Sequence, residues 1–523
     1  MAATPVAGRP AWAIAPDRLA TVSGGPAAEP ALQSVVREDV RLTASDGVGL
    51  AGEVYRPERP GAHPLLVVPG AWMSLATHEV TSARRLRALA AAGYVVVTYD
   101  PRGFRRSGGS VDMAGPKDVD DVSRVIDWAL AHEGADPARI GLLSESYGAA
   151  VSLNAAAFDA RVRAVAALSG WTDLVAAQWR NGTSVGTVKL FQELVGRLNG
   201  RFDERLTAVL ADPGRGSPGS LAWARQRSPR THVARLNRHK PAVLLVNEWD
   251  DALIPAGQTG EFLDALEGPK QLHMRPGGHG DSVNPTLGFL GGASLWERAV
   301  AWVDRYVAGT GDGPTGPAVV LRPRTPGPLE HYPGWAALRR ADRRVPLTPV
   351  RLGDTAPLIA GLPSAAESGP FPAAGALDAL GVHQPTVLPL LAPPAAAVWT
   401  SAPLSAPHAL RGAPQVGGSL TADAEHGTLV IHLYDTDPLG QARLLTHAPY
   451  SFRNHPARRP LHFTVPLPAT AWDLPAGHRI AVVLDTVDHR YASAGTTGSR
   501  LAIDTGAIRL TAPLTPLTGL PPR

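Results

Sequence analysis

The chain has 523 residues, 44% of them hydrophobic and 18% charged, with a net charge of +4 and no cysteine. That length exceeds what one hydrophobic core supports, so two or more domains are expected. The missing cysteines exclude disulfides, thiolate metal sites and a cysteine nucleophile. The charge is spread without blocks of like sign, which argues against a nucleic-acid partner, and no apolar run is long enough to span a membrane.

Residues 1–35 are rich in Ala, Pro and Gly and carry no periodicity, so they read as a loose arm. They lack a basic stretch followed by an apolar one, so they do not read as a signal peptide. The composition suits a soluble protein, cytoplasmic or secreted after signal removal. Asp46-Gly47 between two alternating runs predicts a hairpin of Val40 to Ala44 and Val48 to Tyr55. Leu65 to Val68 is a buried strand, ending at Pro69-Gly70-Ala71-Trp72. A helix over Arg84 to Ala92 stops at Gly93. Tyr94 to Tyr99 is again strand-like and runs into Asp100-Pro101-Arg102-Gly103. Asp118 to His132 carries apolar residues at helical spacing.

Ile140 to Leu143 is the next short apolar run, and from Tyr147 the pattern is helical. Between them lies Ser144-Glu145-Ser146-Tyr147-Gly148. A serine flanked two residues away on each side by small residues has the spacing of a nucleophile elbow, a sharp strand-to-helix turn that lifts the hydroxyl out of the sheet. Further strands are expected at Val162 to Ser169, Ala242 to Asn247 and Gln271 to Met274, with a helix from Gln258 to Leu266. Strands alternating with amphipathic helices predict a parallel sheet covered on both faces. Between about 172 and 240 the alternation breaks. That insertion, with helical pieces at Val188 to Leu198 and Glu204 to Leu210, reads as a cap over the substrate pocket. A helix from Leu295 to Val307 closes the first domain, taken as residues 36–310. Gly309 to Gly316 reads as a linker. Residues 311–523 carry short strands between Pro- and Gly-rich turns, the pattern of an antiparallel β-sandwich.

A serine hydroxyl is a weak nucleophile and needs a base, which in turn is oriented by a carboxylate. Both follow Ser146 in the expected order. The acidic loop Trp249-Asp250-Asp251-Ala252-Leu253-Ile254-Pro255 follows one strand, and Gly278-His279-Gly280 follows the next. The expected set is therefore Ser146, Asp251 and His279, with Asp250 as the alternative acid. The N–H groups of Tyr147 and Ala71 are the expected oxyanion donors. Trp72, Trp171 and Trp249 lie at strand ends on the catalytic side, as pocket walls or as packed aromatics. No metal or cofactor is expected.

From about Val40 to the C-terminus the chain resembles the CocE/NonD hydrolase family, relatives of X-Pro dipeptidyl-peptidases and α-amino-acid ester hydrolases. In the first half the resemblance rests on Asp46-Gly47-Val48, Tyr55-Arg56-Pro57, Asp100 to Gly103, Ser144 to Gly148, Trp249 with Asp251, and Gly278-His279-Gly280. In the second half it rests on Thr400 to Leu404, Leu433 to Pro438 and Ala476 to Ile480. It implies an α/β-hydrolase fold with a C-terminal jelly-roll, and the roles of nucleophile, acid and base for Ser146, Asp251 and His279. Three positions depart from the family pattern. Ser144 replaces a glycine of the elbow, Arg105 stands where another glycine is common, and Pro69 to Trp72 lacks a tyrosine that in some members serves the oxyanion. A backbone-only oxyanion hole is therefore expected. The expected function is serine hydrolysis of an acyl ester or amide on a small-molecule or peptide-like substrate. Dipeptidyl-peptidase action and acyl transfer are the alternatives, and a non-catalytic binding protein is the remaining reading.

Overall fold

In the computed structural model, residues 34–519 are described apart from 73–75, 213, 282–294, 312–315, 351–352, 372, 375–376 and 378–385. The expected N-terminal arm lies almost wholly outside the described residues, as does the middle of the expected linker.

The apolar runs become the strands of one ten-stranded sheet. In chain order these are β1 (Val35–Thr43), β2 (Gly49–Pro57), β3 (His63–Pro69), β4 (Val95–Tyr99), β5 (Ala135–Glu145) and β6 (Val162–Leu168). After a two-residue hairpin, β7 (Trp179–Arg180) and β8 (Thr183–Ser184), come β9 (Ala242–Glu248), β10 (Lys270–Arg275), β11 (Val319–Leu321) and β12 (Glu330–Tyr332). The sheet order is β1-β2-β4-β3-β5-β6-β9-β10-β11-β12. From β4 to β11 neighbours are parallel, and the pairs at each end are antiparallel. Leu65, Leu66, Ile140, Leu142, Ala164 and Val165 are fully buried. Residues buried on both faces explain why these strands read as unbroken apolar runs rather than alternating ones.

Helices α1 (Ala76–Ala91), α2 (Pro116–His132) and α3 (Tyr147–Phe158) cover the sheet. The insertion folds as α4 (Leu174–Gln178), the β7–β8 hairpin, α5 (Gly186–Gly196), α6 (Glu204–Ala211), α7 (Pro218–Gln226) and α8 (Val233–His239). It lies on the loops that follow β3 and β4. Arg105 donates its N–H to Asn199 O at 2.8 Å, and Val111 to Arg201 O at 2.9 Å. A Cβ on Gly196 would fall 2.7 Å from the Trp72 ring. Helices α9 (Gln258–Ala265) and α10 (Trp296–Val303) complete the layer.

Where the sequence places the domain change at about 311, the sheet continues. β11 adds parallel to β10, and β12 returns antiparallel to it. A three-residue strand such as Val319–Leu321 is too short to show a period, which is why it went unread. Beyond Tyr332 the chain forms two antiparallel sheets packed face to face, a jelly-roll β-sandwich. Its strands include Gly427–Thr436, Leu461–Pro466 and Arg479–Asp485. Thr505–Ala507 is a 3-10 turn, followed by a strand over Arg509–Pro516.

The two halves are closely joined. The Trp335 ring sits on α9 where a Cβ on Gly260 would fall 2.0 Å from it. Asp264 accepts the N–H groups of Trp335 and Ala336 at 2.8 and 2.6 Å. Arg411 of the sandwich is buried and binds Glu330 of β12 through Nε and Nη2. The cap hairpin joins as well, with Ala492 donating its N–H to Ser184 O at 3.0 Å.

Candidate active site

Ser146 stands between β5 and α3 with φ 55° and ψ −119°. A non-glycine residue in that region is strained, on the order of 1–3 kcal/mol, and persists only where its surroundings hold it. They do so here. Ser146 donates its N–H to Leu168 O of the neighbouring strand at 2.8 Å. The first turn of α3 lies so close to the end of β3 that a Cβ on Gly148 would fall 2.2 Å from Pro69 O. Only glycine fits there, and the same contact places the Ala71 loop beside the start of α3. Ser144 is tolerated in place of glycine because its hydroxyl is bonded to Ser152 Oγ of α3 at 2.6 Å.

Ser146 Oγ lies 2.8 Å from His279 Nε2. His279 Nδ1 lies 2.8 Å from Asp251 Oδ2. The imidazole thus accepts from the serine and donates to the carboxylate. The other oxygen of Asp251 is held in its own loop, accepting the N–H groups of Leu253 and Ile254 at 2.8 and 2.9 Å. Those bonds are the physical content of the acid–x–apolar–apolar–Pro pattern. The alternative acid, Asp250, faces the other way, with Oδ2 3.0 Å from Arg324 Nε. Gly280 has φ 81° and a Cβ there would meet Glu145 Oε1 at 2.7 Å, so the loop around His279 needs its glycine. Asp281 braces the loop by accepting the Gly278 N–H at 2.7 Å. Burial of the His279 ring opposes its protonation. Asp251 outweighs this, with Glu248 and Glu145 adding to it, and the pKa is raised to about 9.

The three tryptophans pack in two groups, Trp72 and Trp171 on Tyr147 and Trp249 on Trp335. Trp72 packs edge-on to Phe104 and Tyr147 at 5.0 and 5.4 Å between centroids. Trp171 meets Tyr147 from another side at 6.0 Å and donates Nε1–H to Arg227 O at 3.0 Å. Trp249 lies beyond Asp251, stacked with Trp335 and donating to Arg322 O at 2.7 Å.

Sequence reasoning missed the support behind Tyr147. Its hydroxyl donates to Asp118 Oδ2 at 2.6 Å inside the core. Burial, with the Asp112 charge, raises Asp118 to about 8. Arg102 was seen only as part of a motif. It is buried between Asp121, at 2.6 Å, and Asp46 of the first hairpin turn, at 2.9 Å. Arg105, which departs from the expected glycine, does hold a left-handed φ of 44°. The position that favours glycine is therefore real, and the arginine bears its strain.

The sheet order and the elbow define an α/β-hydrolase fold. Residues 46–281 match the model of the X-Pro dipeptidyl-peptidase (S15) family, and residues 314–517 match the X-Pro dipeptidyl-peptidase C-terminal non-catalytic domain. The chain belongs to this family and is a serine-type hydrolase. An uncharacterized 31.7 kDa protein of Escherichia coli is 32% identical over 251 residues, which are 44% of this chain and 86% of that protein. Two solved structures share the whole fold. One is an aminopeptidase from the marine sediment archaeon Thaumarchaeota archaeon, with TM-score 0.69, 15% identity, and 95% of this chain and 99% of that one covered. The other is an α-amino acid ester hydrolase, with TM-score 0.69, 15% identity and coverage of 96% and 100%. Among the described residues no helix is long and apolar enough to cross a membrane.

Proposed function

We propose that Ser146 is the nucleophile, His279 its general base and Asp251 the acid that orients the base, acting on a short acyl ester. The observation that carries this reading is the unbroken hydrogen-bond chain at 2.8 Å per link, hung on a strained elbow. Ser146 adds to the acyl carbonyl as its proton passes to His279 Nε2. The N–H groups of Tyr147 and Ala71 receive the oxyanion. His279 returns the proton to the leaving alcohol, and water, activated by the same base, releases the acid.

The ester preference rests on the cap. Cleavage of an X-Pro dipeptide requires a carboxylate free to bind the α-amino group. Four acids of the cap are candidates for that role, Asp173, Glu193, Asp203 and Glu204, and three of them are otherwise engaged. Asp173 caps α4 and pairs with Arg230 at 2.8 Å. Asp203 caps α6 through the Leu206 N–H at 2.7 Å. Glu193 pairs with Arg197 at 3.3 Å. The fourth, Glu204, is exposed in the first turn of α6. The second reading, dipeptidyl-peptidase action, is favoured by the description of the matched family. Acyl transfer to another alcohol or amine would use the same acyl-enzyme.

A p-nitrophenyl acyl ester is compared with an Xaa-Pro anilide, free and N-acetylated. The ester is expected to give the higher kcat/KM. A higher value for the unblocked anilide alone would overturn the ester reading in favour of an amine-binding acid.

A further inference from the structure

A cavity of about 770 Å³ lies between the acid loop, the cap hairpin and the sandwich. Its size is that of a small-molecule site. Ser146 and His279 are not part of its lining, although Asp251 and Trp249 are. Three arginines line it: Arg324, which pairs with Asp250, and from opposite halves of the molecule Arg180 of the cap and Arg490 of the sandwich.

Arg490 is 7% exposed. It donates through Nη2 to Ser368 O at 2.8 Å, while its Nε is buried without a partner. Arg180 donates through Nη1 to Tyr491 Oη at 3.4 Å, and its Nε is likewise buried and unpartnered. Among the described residues neither forms an ion pair with a carboxylate, and Asp250, Asp251 and Asp488 are engaged elsewhere. Asp250 holds Arg324, and Asp251 holds His279. Asp488 accepts from Ser368 and from the backbone N–H of Arg490. Glu367 lies 4.0 Å from His489. A buried guanidinium with an unpartnered N–H and no ion pair is costly. Burial holds Arg490 below the ordinary guanidinium range and the like charge of Arg180 adds to this, while Tyr491, Asp488 and Asp250 oppose it in part. The wall also carries Glu367, His447 and His489, and it offers apolar surface from Trp249, Phe371 and Val185.

We propose that this cavity binds a small organic carboxylate with an apolar body. The carboxylate is held between the forks of Arg180 and Arg490, and the body lies against Trp249 and Phe371. Planar guanidinium groups suit a carboxylate through paired N–H donors. A ligand so placed ties the cap to the sandwich beside the loop that carries Asp251. The site is separate from the serine and does not depend on the ester reading.

The test uses the full chain with Ser146→Ala, so that no turnover intervenes. Binding of 4-bromobenzoate and of its neutral analogue 4-bromobenzamide is measured by titration calorimetry. The acid is expected to bind at least tenfold more tightly than the amide. Arg180→Gln and Arg490→Gln are each expected to weaken the acid at least tenfold and to leave the amide unchanged. Should Arg490→Gln fail to fold, Arg180→Gln on the partly exposed hairpin decides the matter. In crystals soaked with the acid, anomalous bromine signal is expected in this cavity. Equal affinity for acid and amide, unchanged binding by folded Arg180→Gln, or bromine only elsewhere would overturn the proposal. None of those outcomes bears on turnover by the wild-type chain, which is read separately.

Discussion

Among the described residues two histidine–aspartate pairs have nearly equal geometry, one in each half. His279 Nδ1 lies 2.8 Å from Asp251 Oδ2, and His478 Nδ1 lies 2.8 Å from Asp435 Oδ1. Their imidazoles are similarly exposed, at 21% and 24%. They differ in what stands on the other side of the ring. His279 faces the hydroxyl of Ser146 on a left-handed turn. His478 follows the turn Pro475-Ala476-Gly477, and its aspartate also accepts the Trp472 indole N–H at 3.1 Å. A carboxylate-oriented histidine is thus an ordinary way to satisfy a half-buried ring. The serine, and the backbone that presents it, make one of the pairs a candidate for chemistry.

The comparison breaks first at the serine. Ser146→Ala is expected to lower kcat by about a millionfold with the melting temperature retained, because triad members act as a unit. It should also abolish covalent labelling by a fluorophosphonate. More than a few per cent residual turnover in pure protein would remove the elbow from the mechanism. The two adjacent acids come next. Asp251→Asn is expected to cost roughly ten-thousandfold in kcat, since it leaves the imidazole in the wrong tautomer. Asp250→Asn, which loosens the Arg324 contact, should cost far less. The reverse order would move the acid by one residue.

The pH profile sharpens the contrast further. His279 must be neutral to act as base, and its pKa is raised to about 9. kcat/KM of the free enzyme should therefore climb as pH rises through about 9, and Asp251→Asn should move that limb downward. The sign for stability is opposite. A histidine with a raised folded pKa contributes stability in full below its unfolded value of about 6.5, and loses it as pH rises through the folded one. A limb unmoved in Asp251→Asn would show that another group titrates. The smallest effect on turnover belongs to the sandwich pair. Asp435→Asn should leave kcat within about twofold and lower stability by about 1–3 kcal/mol, the range for a buried partner left unsatisfied. A large fall in kcat there would show that the sandwich reaches the chemistry.

Much of this was legible in the chain itself. The buried strands of the main sheet read as apolar runs because both faces are covered, and the elbow read as small residues around Ser146 because strand and helix nearly touch. The order of serine, acid and histidine followed from the same strand pattern. Local sequence could also place Asp251 two and three residues before the N–H groups that hold its second oxygen. Only the tertiary structure turns the two acids apart, Asp251 towards His279 and Asp250 towards Arg324, 74 positions away in the chain. It likewise separated Trp249 from Trp72 and Trp171, and joined β11 and β12 to the first sheet rather than to the sandwich. Periodicity reports which face of an element is buried. It does not report what that face is buried against, and those three features rest on long-range pairing.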